Sequence, residues 1–352
     1  MSDYDYLNAR VRGMSTSLLP REFYEQVLSA ASENILLDAL LASSYGPDLQ
    51  DALARRGPQP VTWAVEAAVR SNTAATFARL LAAAPPEPRR LIALQLNRWD
   101  VSNVVALLRG KLAGAEPHEA LAAVFPIGEL NEAQLGELAA EADVEAIADG
   151  LSTWKHAIGF LLRRAIRECE SPRDPRALER ALYGSYFAWA LAQLAVGDAE
   201  DSRVDQLIRM HIDLVNVVTI LTMIQDHEDA EDRRVETLVR GTLAEQFLSN
   251  LASCATLEDA FESLADTYLA PGVEKGILSY GQSQSLGVME RFLEAVAVER
   301  ACRLFRQDVL GVAVPLGFIW RKYNECVNLR LLARAAQFRM PAQAVRLELI
   351  LV

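Results

Sequence analysis

Three stretches of this chain carry an acidic residue, then an asparagine three positions on, then an aliphatic residue. They are Asp100-x-x-Asn103-Val104-x-x-Leu107, Asp213-x-x-Asn216-Val217-x-x-Ile220 and Glu325-x-x-Asn328-Leu329-x-x-Leu332. The spacing from Asn103 to Asn216 matches that from Asn216 to Asn328 to within one position, in a chain of 352 residues. A period near one third of the length means one module used three times, and such a repeat constrains the fold before any local signal does. Flanking matches keep the same register. Gly128 and Gly241 follow Asn103 and Asn216 at one common interval, and Val144-Glu145-Ala146-Ile147 stands one repeat before Leu257-Glu258-Asp259-Ala260. Val65-Glu66, Leu178-Glu179 and Met289-Glu290 precede the three asparagines at intervals that agree to within one position. A fragment of a further copy, Asp5-x-x-Asn8, opens the chain. The repeat predicts three similar modules in pseudo-threefold arrangement, over 1–116, 117–228 and 229–352, with the chain start belonging to a permuted copy.

The modules are expected to be all-α. Apolar residues make up 51% of the chain and aromatics only 7%, and β-branched runs are short, so a sizeable core can be buried by Ala- and Leu-rich helices. A net charge of −12 without a basic run argues against nucleic acid or a polybasic membrane role. Cys169, Cys254, Cys302 and Cys326 form no Cys-x-x-Cys and are scattered, as free thiols of a reducing compartment are. The most apolar stretch, Ile212 to Ile224, is interrupted by Asp213 and Asn216, so no membrane span is expected. The acidic first residues carry no hydrophobic leader. A soluble, cytoplasmic protein is the expectation.

Local signals place the elements. Pro20 is expected to open a helix at its first position, and Ser32 to Ser44 shows a helical apolar face. Pro85-Pro86-Glu87-Pro88 reads as a loop before a helix from Leu91 to Leu112 that stops near Gly114. Asn131-x-x-Gln134, Thr242-x-x-Glu245 and Thr256-x-x-Asp259 read as N-terminal caps. Ser171-Pro172-Arg173-Asp174-Pro175 separates two helices, and Gly311 to Gly317 around Pro315 reads as a hinge before the last helices.

On a helix of 3.6 residues per turn, Val101, Val104, Val105 and Leu108 share one face, whereas Asp100, Asn103 and Leu107 share another. A helix apolar on most sides belongs inside the assembly. Asparagine is a mediocre helix former, so three of them at equivalent places need a reason. Either each satisfies buried backbone groups of a neighbouring element, or the stripe Asp100/Asn103, Asp213/Asn216, Glu325/Asn328 lines a shared central surface. The third copy is also more basic, with Arg330 where the others have Val105 and Val218, and Arg334 at the position of Arg109 and Thr222. These two arginines either meet an acidic partner or pair internally, with Glu325 or Glu290 as the partners expected.

No nucleotide-binding Gly-x-x-x-x-Gly-Lys-Ser/Thr, no His-x-x-x-His and no Gly-x-Ser-x-Gly occurs, so no cofactor and no metal is expected. Asp226-x-x-Asp229-x-x-Asp232 could serve magnesium-diphosphate chemistry in an all-α synthase, but a second such motif is missing. An open-ended helical-repeat adaptor is the alternative class, although its repeats run to about 34–45 residues.

The segments Tyr6-Leu7-Asn8-Ala9-Arg10-Val11-Arg12-Gly13-Met14, Arg98-Trp99-Asp100-Val101-Ser102-Asn103-Val104 with Leu107-Leu108-Arg109-Gly110-Lys111, and Glu325-x-x-Asn328-Leu329-Arg330-Leu331-Leu332-Ala333-Arg334 resemble the C subunit of V/A-type rotary ATPases, called d in eukaryotes. The likeness runs over nearly the whole chain in one order. It departs at Gln337-Phe338-Arg339-Met340, where the family ending resembles Tyr-Phe-Gly-Leu. The resemblance implies three helical bundles forming a funnel-shaped, non-catalytic socket on the cytoplasmic face of the membrane. Its partners would be the membrane rotor ring below and the central shaft above, linking ATP turnover to ion movement. Arg10, Arg12, Arg98, Arg109, Arg330 and Arg334 are then candidates for docking to those partners by complementary charge.

Overall fold

The computed structural model describes residues 3–351 apart from 31, 196, 236, 239, 240, 308 and 309. Val239 and Arg240, beside the second repeated glycine, therefore lie outside the described residues, as do Met1 and Ser2. The described residues form helices and no strand. The chain opens with α1 (Asp3–Ser15). A first series follows: α2 (Arg21–Ala30), α3 (Glu33–Leu41), α4 (Gly46–Arg55), α5 (Val61–Ala83) and the long α6 (Pro86–Leu112). A short α7 (Pro117–Ala122) leads into α8 (Glu132–Ala140), α9 (Val144–Thr153), α10 (Ala157–Glu168), α11 (Pro175–Ala192) and the long α12 (Ala199–Gln225). A short α13 (Ala230–Val235) leads into α14 (Glu245–Ala252), α15 (Leu257–Ala265), α16 (Ala270–Ser283), α17 (Leu286–Gln307) and the long α18 (Ala313–Phe338), and α19 (Ala342–Glu348) closes the chain. Each asparagine motif sits in the last, long helix of a series.

Register runs through all three series. Leu19, Leu130 and Leu243 each stand just before a helix. One common interval separates them from the N-caps Ser32, Asp143 and Thr256, and a second, twice as long, from the N-caps Tyr45, His156 and Leu269. The buried leucines Leu36 and Leu40 of α3 match Ile147 and Leu151 of α9 and Ala260 and Leu264 of α15, the one-face spacing that buries a short amphipathic helix.

The chain divides into two compact units, one of residues 1–89 with 267–352 and one of residues 90–266. In the first, α1, α3, α5 and α17 pack on α18. That surrounding explains why α18 is buried on nearly every side, from Leu316 and Ile319 to Leu329 and Ala333. In the second, α9 packs on α10, α10 on α11, and α12 meets α11, α14 and α15. Among the described residues, helix α12 is long and apolar enough by length and composition to cross a membrane, although Asp213 and Asn216 interrupt its apolar run. Yet 67% of its most apolar window is buried within the protein, and the buried residues of the helix include Asp213 and Asn216. It is built as a core helix.

Several local expectations are revised. Pro86 and Pro88 belong to the first turn of α6, where a missing N–H costs nothing, so the loop there is shorter than its prolines suggest. Pro315 likewise sits in the first turn of α18, which leaves no hinge at that residue. Pro20 precedes α2 rather than opening it. Asn131 and Thr256 form full capping boxes with Gln134 and Asp259. Thr242 does not cap, because its hydroxyl and N–H are both given to Asp213.

Candidate functional site

The repeated asparagine has one job in all three places. Asn103 donates from Nδ2 to Phe125 O at 2.8 Å and accepts at Oδ1 from Phe125 N at 2.8 Å. Asn216 does the same with Leu238, at 2.7 and 2.6 Å. Asn328 does it with Ile350, at 2.8 and 3.2 Å. In each case the partner lies 22 residues downstream. A carboxamide reproduces the donor and acceptor of a peptide group, so it can pin one residue of extended backbone to a helix face. The asparagines are 4%, 1% and 1% exposed, and both functions of each amide are used on backbone.

The acidic residue of the motif pins the next stretch of chain. Asp100 accepts from Glu129 N at 2.7 Å and Leu130 N at 3.0 Å, 29 and 30 residues on. Asp213 accepts from Thr242 N at 3.0 Å, Leu243 N at 3.1 Å and the Thr242 hydroxyl, at the same offsets. Both carboxylates are fully buried and are stabilised by aligned N–H dipoles, which makes such bonds stronger than neutral ones. The repeated glycines follow from this arrangement. A Cβ at Gly128 would lie 2.0 Å from Asp100 Oδ1, and one at Gly241 would lie 2.0 Å from Asp213 Oδ1. His156 Nε2 stands 3.7 Å from Asp100 Oδ2, and its Nδ1 accepts from Ile158 N at 3.3 Å as the cap of α10.

The third acid solves the same problem with other groups. Its backbone partner is far off in sequence: Leu19 donates its N–H to Glu325 Oε2 at 2.5 Å. Pro20 follows, and it has no N–H. The other oxygen, Oε1, accepts from Tyr45 Oη at 2.7 Å and from Lys322 Nζ at 2.9 Å. Lys322 is 2% exposed; it also donates to Tyr45 Oη at 2.8 Å and lies 4.2 Å from that ring's centroid. Burial, then the Glu325 charge, pushes the Tyr45 phenol well above its ordinary pKa, and Tyr24 is raised for the same two reasons. Sequence reasoning missed Lys322, Tyr45 and Leu19. The one signal for Tyr45 is its position, as far beyond Leu19 as His156 is beyond Leu130.

Of the six arginines, Arg98 and Arg109 belong to the unit of residues 90–266 and the other four to the other unit. Arg334 pairs with Glu66 at 3.3 Å, and Arg330 approaches the same carboxylate at 4.0 Å. The expected partner Glu325 is bonded instead to Leu19, Tyr45 and Lys322. Burial lowers the Arg330 pKa, and Glu66 opposes that shift. Arg109 holds Glu179 through both Nε and a terminal nitrogen, the latter at 2.5 Å. Arg109 and Arg334 are equivalent in the repeat, and so are Glu179 and Glu66. Arg98 is buried at 8% exposure with its guanidinium 5.0 Å from the Trp99 ring centroid. Burial depresses the His211 pKa well below the ordinary value, and the Arg98 charge adds to that shift. Arg10 and Arg12 are exposed on α1, Arg10 bonding the Tyr6 hydroxyl at 3.1 Å. The acidic tract is bound up with Arg176, which pairs with Asp226 at 3.3 Å and with Glu228. No group of His, Cys, Asp or Glu suited to a metal occurs among the described residues.

The family model described as ATP synthase (C/AC39) subunit matches residues 7–347. The C subunit of the A-type ATP synthase of Methanocaldococcus jannaschii is 23% identical over 99% of this chain and 87% of its own length. That of Thermococcus onnurineus is 27% identical over 94% and 86%. The C subunit of the V-type ATP synthase of Deinococcus radiodurans is 23% identical over 98% and 91%. A family match over almost the whole length, on a chain whose repeated side chains each hold a defined piece of backbone, is sufficient: the chain belongs to the ATP synthase C/AC39 subunit family.

Proposed function

We propose that this protein is the non-catalytic socket of a V/A-type rotary ATPase, seated on the membrane rotor ring and receiving the central shaft. It would pass torque between ATP turnover and ion translocation from the cytoplasmic face of the membrane. The observation that supports this most is the threefold reuse of one anchored unit, a long buried helix that pins two segments of chain by side chain-to-backbone bonds. Three such modules, over about 1–116, 117–228 and 229–352 with the chain start completing the third, would close around an axis as a funnel. Closely packed helices deform little and transmit strain, which suits a part that must turn without slipping. The bond from Leu19 to Glu325 supports the permuted assignment, because a residue near the chain start serves the acid of the third copy as Leu130 and Leu243 serve those of the other two. Docking through charge falls mainly to Arg10, exposed on α1, since Arg109 and Arg334 are held by Glu179 and Glu66.

Reconstitution of the rotary complex with and without this chain tests the proposal. The complex without it should still hydrolyse ATP in its head but should lose ATP-driven ion transport, and adding the chain back should restore coupling. Coupled transport in the absence of the chain, or stoichiometric ATP binding by the pure protein in calorimetry, would overturn it.

A further inference from the structure

In the unit of residues 90–266 an open cleft of about 470 Å³ runs along α6 past Arg90, Leu94 and Asn97 and is faced by Glu129, Trp154 and Trp189. Asn97 is 4% exposed. Its Nδ2 donates to Glu129 Oε2 at 3.3 Å, whereas its Oδ1 is buried with no hydrogen-bond partner. That orientation is fixed by the carboxylate, because the reversed amide would set one acceptor against another. A buried carbonyl oxygen is almost always given a donor, and Asn97 is one of the residues that line the cleft. Arg90 in the wall is committed to Asp201 Oδ1 at 2.7 Å and Gln193 O at 2.6 Å. Among the described residues, no basic side chain pairs with the Glu129 carboxylate, and the fully buried Asp100 lies just behind it, bonded to the Glu129 N–H. The rim cation Lys155 is exposed and solvated.

The cleft is thus lined by an asparagine whose carbonyl oxygen lacks a donor, a carboxylate lacking a cation and two tryptophans. An occupant that donates N–H, carries positive charge and stacks on indole would suit these groups. A guanidinium does all three: it is planar, weakly hydrated, and has five N–H donors in a fork, and indole is the strongest side-chain partner for a cation over a ring. An ammonium is a compact, strongly hydrated charge and fits less well. We propose that this cleft receives an arginine side chain from a partner polypeptide. The chain's net charge of −12 favours a basic partner, since complementary charge steers encounter and fixes register. The proposal rests on the cleft's chemistry and holds whether or not the protein is a rotary socket.

The test begins with N-acetyl-arginine amide titrated into the full chain, followed by tryptophan fluorescence. A saturable change is expected, absent in the Trp154→Phe/Trp189→Phe variant and weaker with the lysine analogue. Glu129→Gln should weaken binding by about tenfold, equivalent to about 1.4 kcal/mol, and Lys155→Gln should strengthen it. Glu129 is exposed and holds Asp100 through its backbone, so Glu129→Gln should stay folded, as circular dichroism will show. Absence of a saturable change, or equal binding by Glu129→Gln, would overturn the proposal. The source is settled by a photo-crosslinking residue at the exposed Gln193 in the assembly purified from its host. It should capture one peptide of another chain, and changing that peptide's arginine to glutamine should abolish the adduct. Binding of the amide without any such adduct would mean a small-molecule ligand and would overturn the assignment to a partner polypeptide.

Discussion

Asp213 on α12 and Glu325 on α18 hold equivalent places in their helices, yet Asp213 is met by backbone and a hydroxyl, and Glu325 by a lysine, a phenol and one N–H. The reason lies in what the chain can deliver. Downstream of Asp213 the chain brings two successive N–H groups, with Gly241 leaving room for the carboxylate. Glu325 is met by a segment distant in sequence, which offers the Leu19 N–H and then a proline. One carboxylate oxygen is left over, and Lys322 and Tyr45 take it. What persists through the repeat is the position of a buried acid, while the groups that neutralise it vary with the segment available.

The largest expected effect separates these two solutions. Lys322→Met removes the side-chain cation that Glu325 contacts and leaves a carboxylate buried with too few partners. Breaking a buried pair from one side costs about 3–5 kcal/mol, read as a fall in the denaturant midpoint. Adding Glu325→Gln should recover part of that loss. A loss below about 1 kcal/mol for Lys322→Met would mean that the lysine is a bystander and that the contrast with Asp213 is false.

A second comparison concerns glycine. Gly128 and Gly241 stand two residues before Leu130 and Leu243, and Ser17 stands two residues before Leu19. Gly128→Ala and Gly241→Ala would drive a methyl group into a bonded carboxylate and should each cost about 2–3 kcal/mol in chemical unfolding, combining overpacking with weakened charged hydrogen bonds. Ser17→Ala, at an exposed place where no atom is added, should stay within about 0.5 kcal/mol. Equal costs at all three would show that the glycines serve the turn and not the acid.

The uneven legibility of the fold has the same origin. Asn103, Asn216 and Asn328 are legible because each holds backbone 22 residues downstream, so motif and partner recur together. Gly128 and Gly241 are legible as a spacing, though their cause, a carboxylate 2.0 Å from where Cβ would be, belongs to three dimensions. The third anchor is not legible. Its partner Leu19 is 306 residues away in sequence, and Lys322 sits in a helix stretch whose charges look like a solvated face. Nearness in the repeat suggests Glu325 or Glu290 for Arg330 and Arg334, whereas Glu66 reaches them because α5 packs on α18.

The asparagine clamps should be close to equal. Asn103→Ala and Asn216→Ala each leave a buried backbone N–H and C=O without partners, at about 1–3 kcal/mol in thermal or chemical unfolding. Asn328→Ala should fall at the upper end, because Asn328 also accepts from Arg291 at 3.2 Å. A near-zero value at one site only would show that its backbone segment finds water, and that the copy there is looser than its siblings.

The smallest expected effect lies where the long helices stop. Gly114, His227 and Arg339 follow their motif asparagines at one common interval, and all three adopt a positive φ, at 71°, 58° and 53°. The left-handed conformation is costly for a residue with a Cβ and nearly free for glycine. Only the first copy has the residue the conformation favours. Arg339→Gly and His227→Gly should therefore stabilise the protein by about 0.5–1 kcal/mol, the strain removed being partly offset by the greater freedom of glycine in the unfolded chain. Gly114→Ala should lose about the same amount, since nothing else crowds that position. A differential scan of the three variants reads the sign directly. Destabilisation by Arg339→Gly would show that the arginine side chain holds the turn after α18 through contacts worth more than its backbone strain, and the end of the third helix would then be another place where that copy has been rebuilt with side chains.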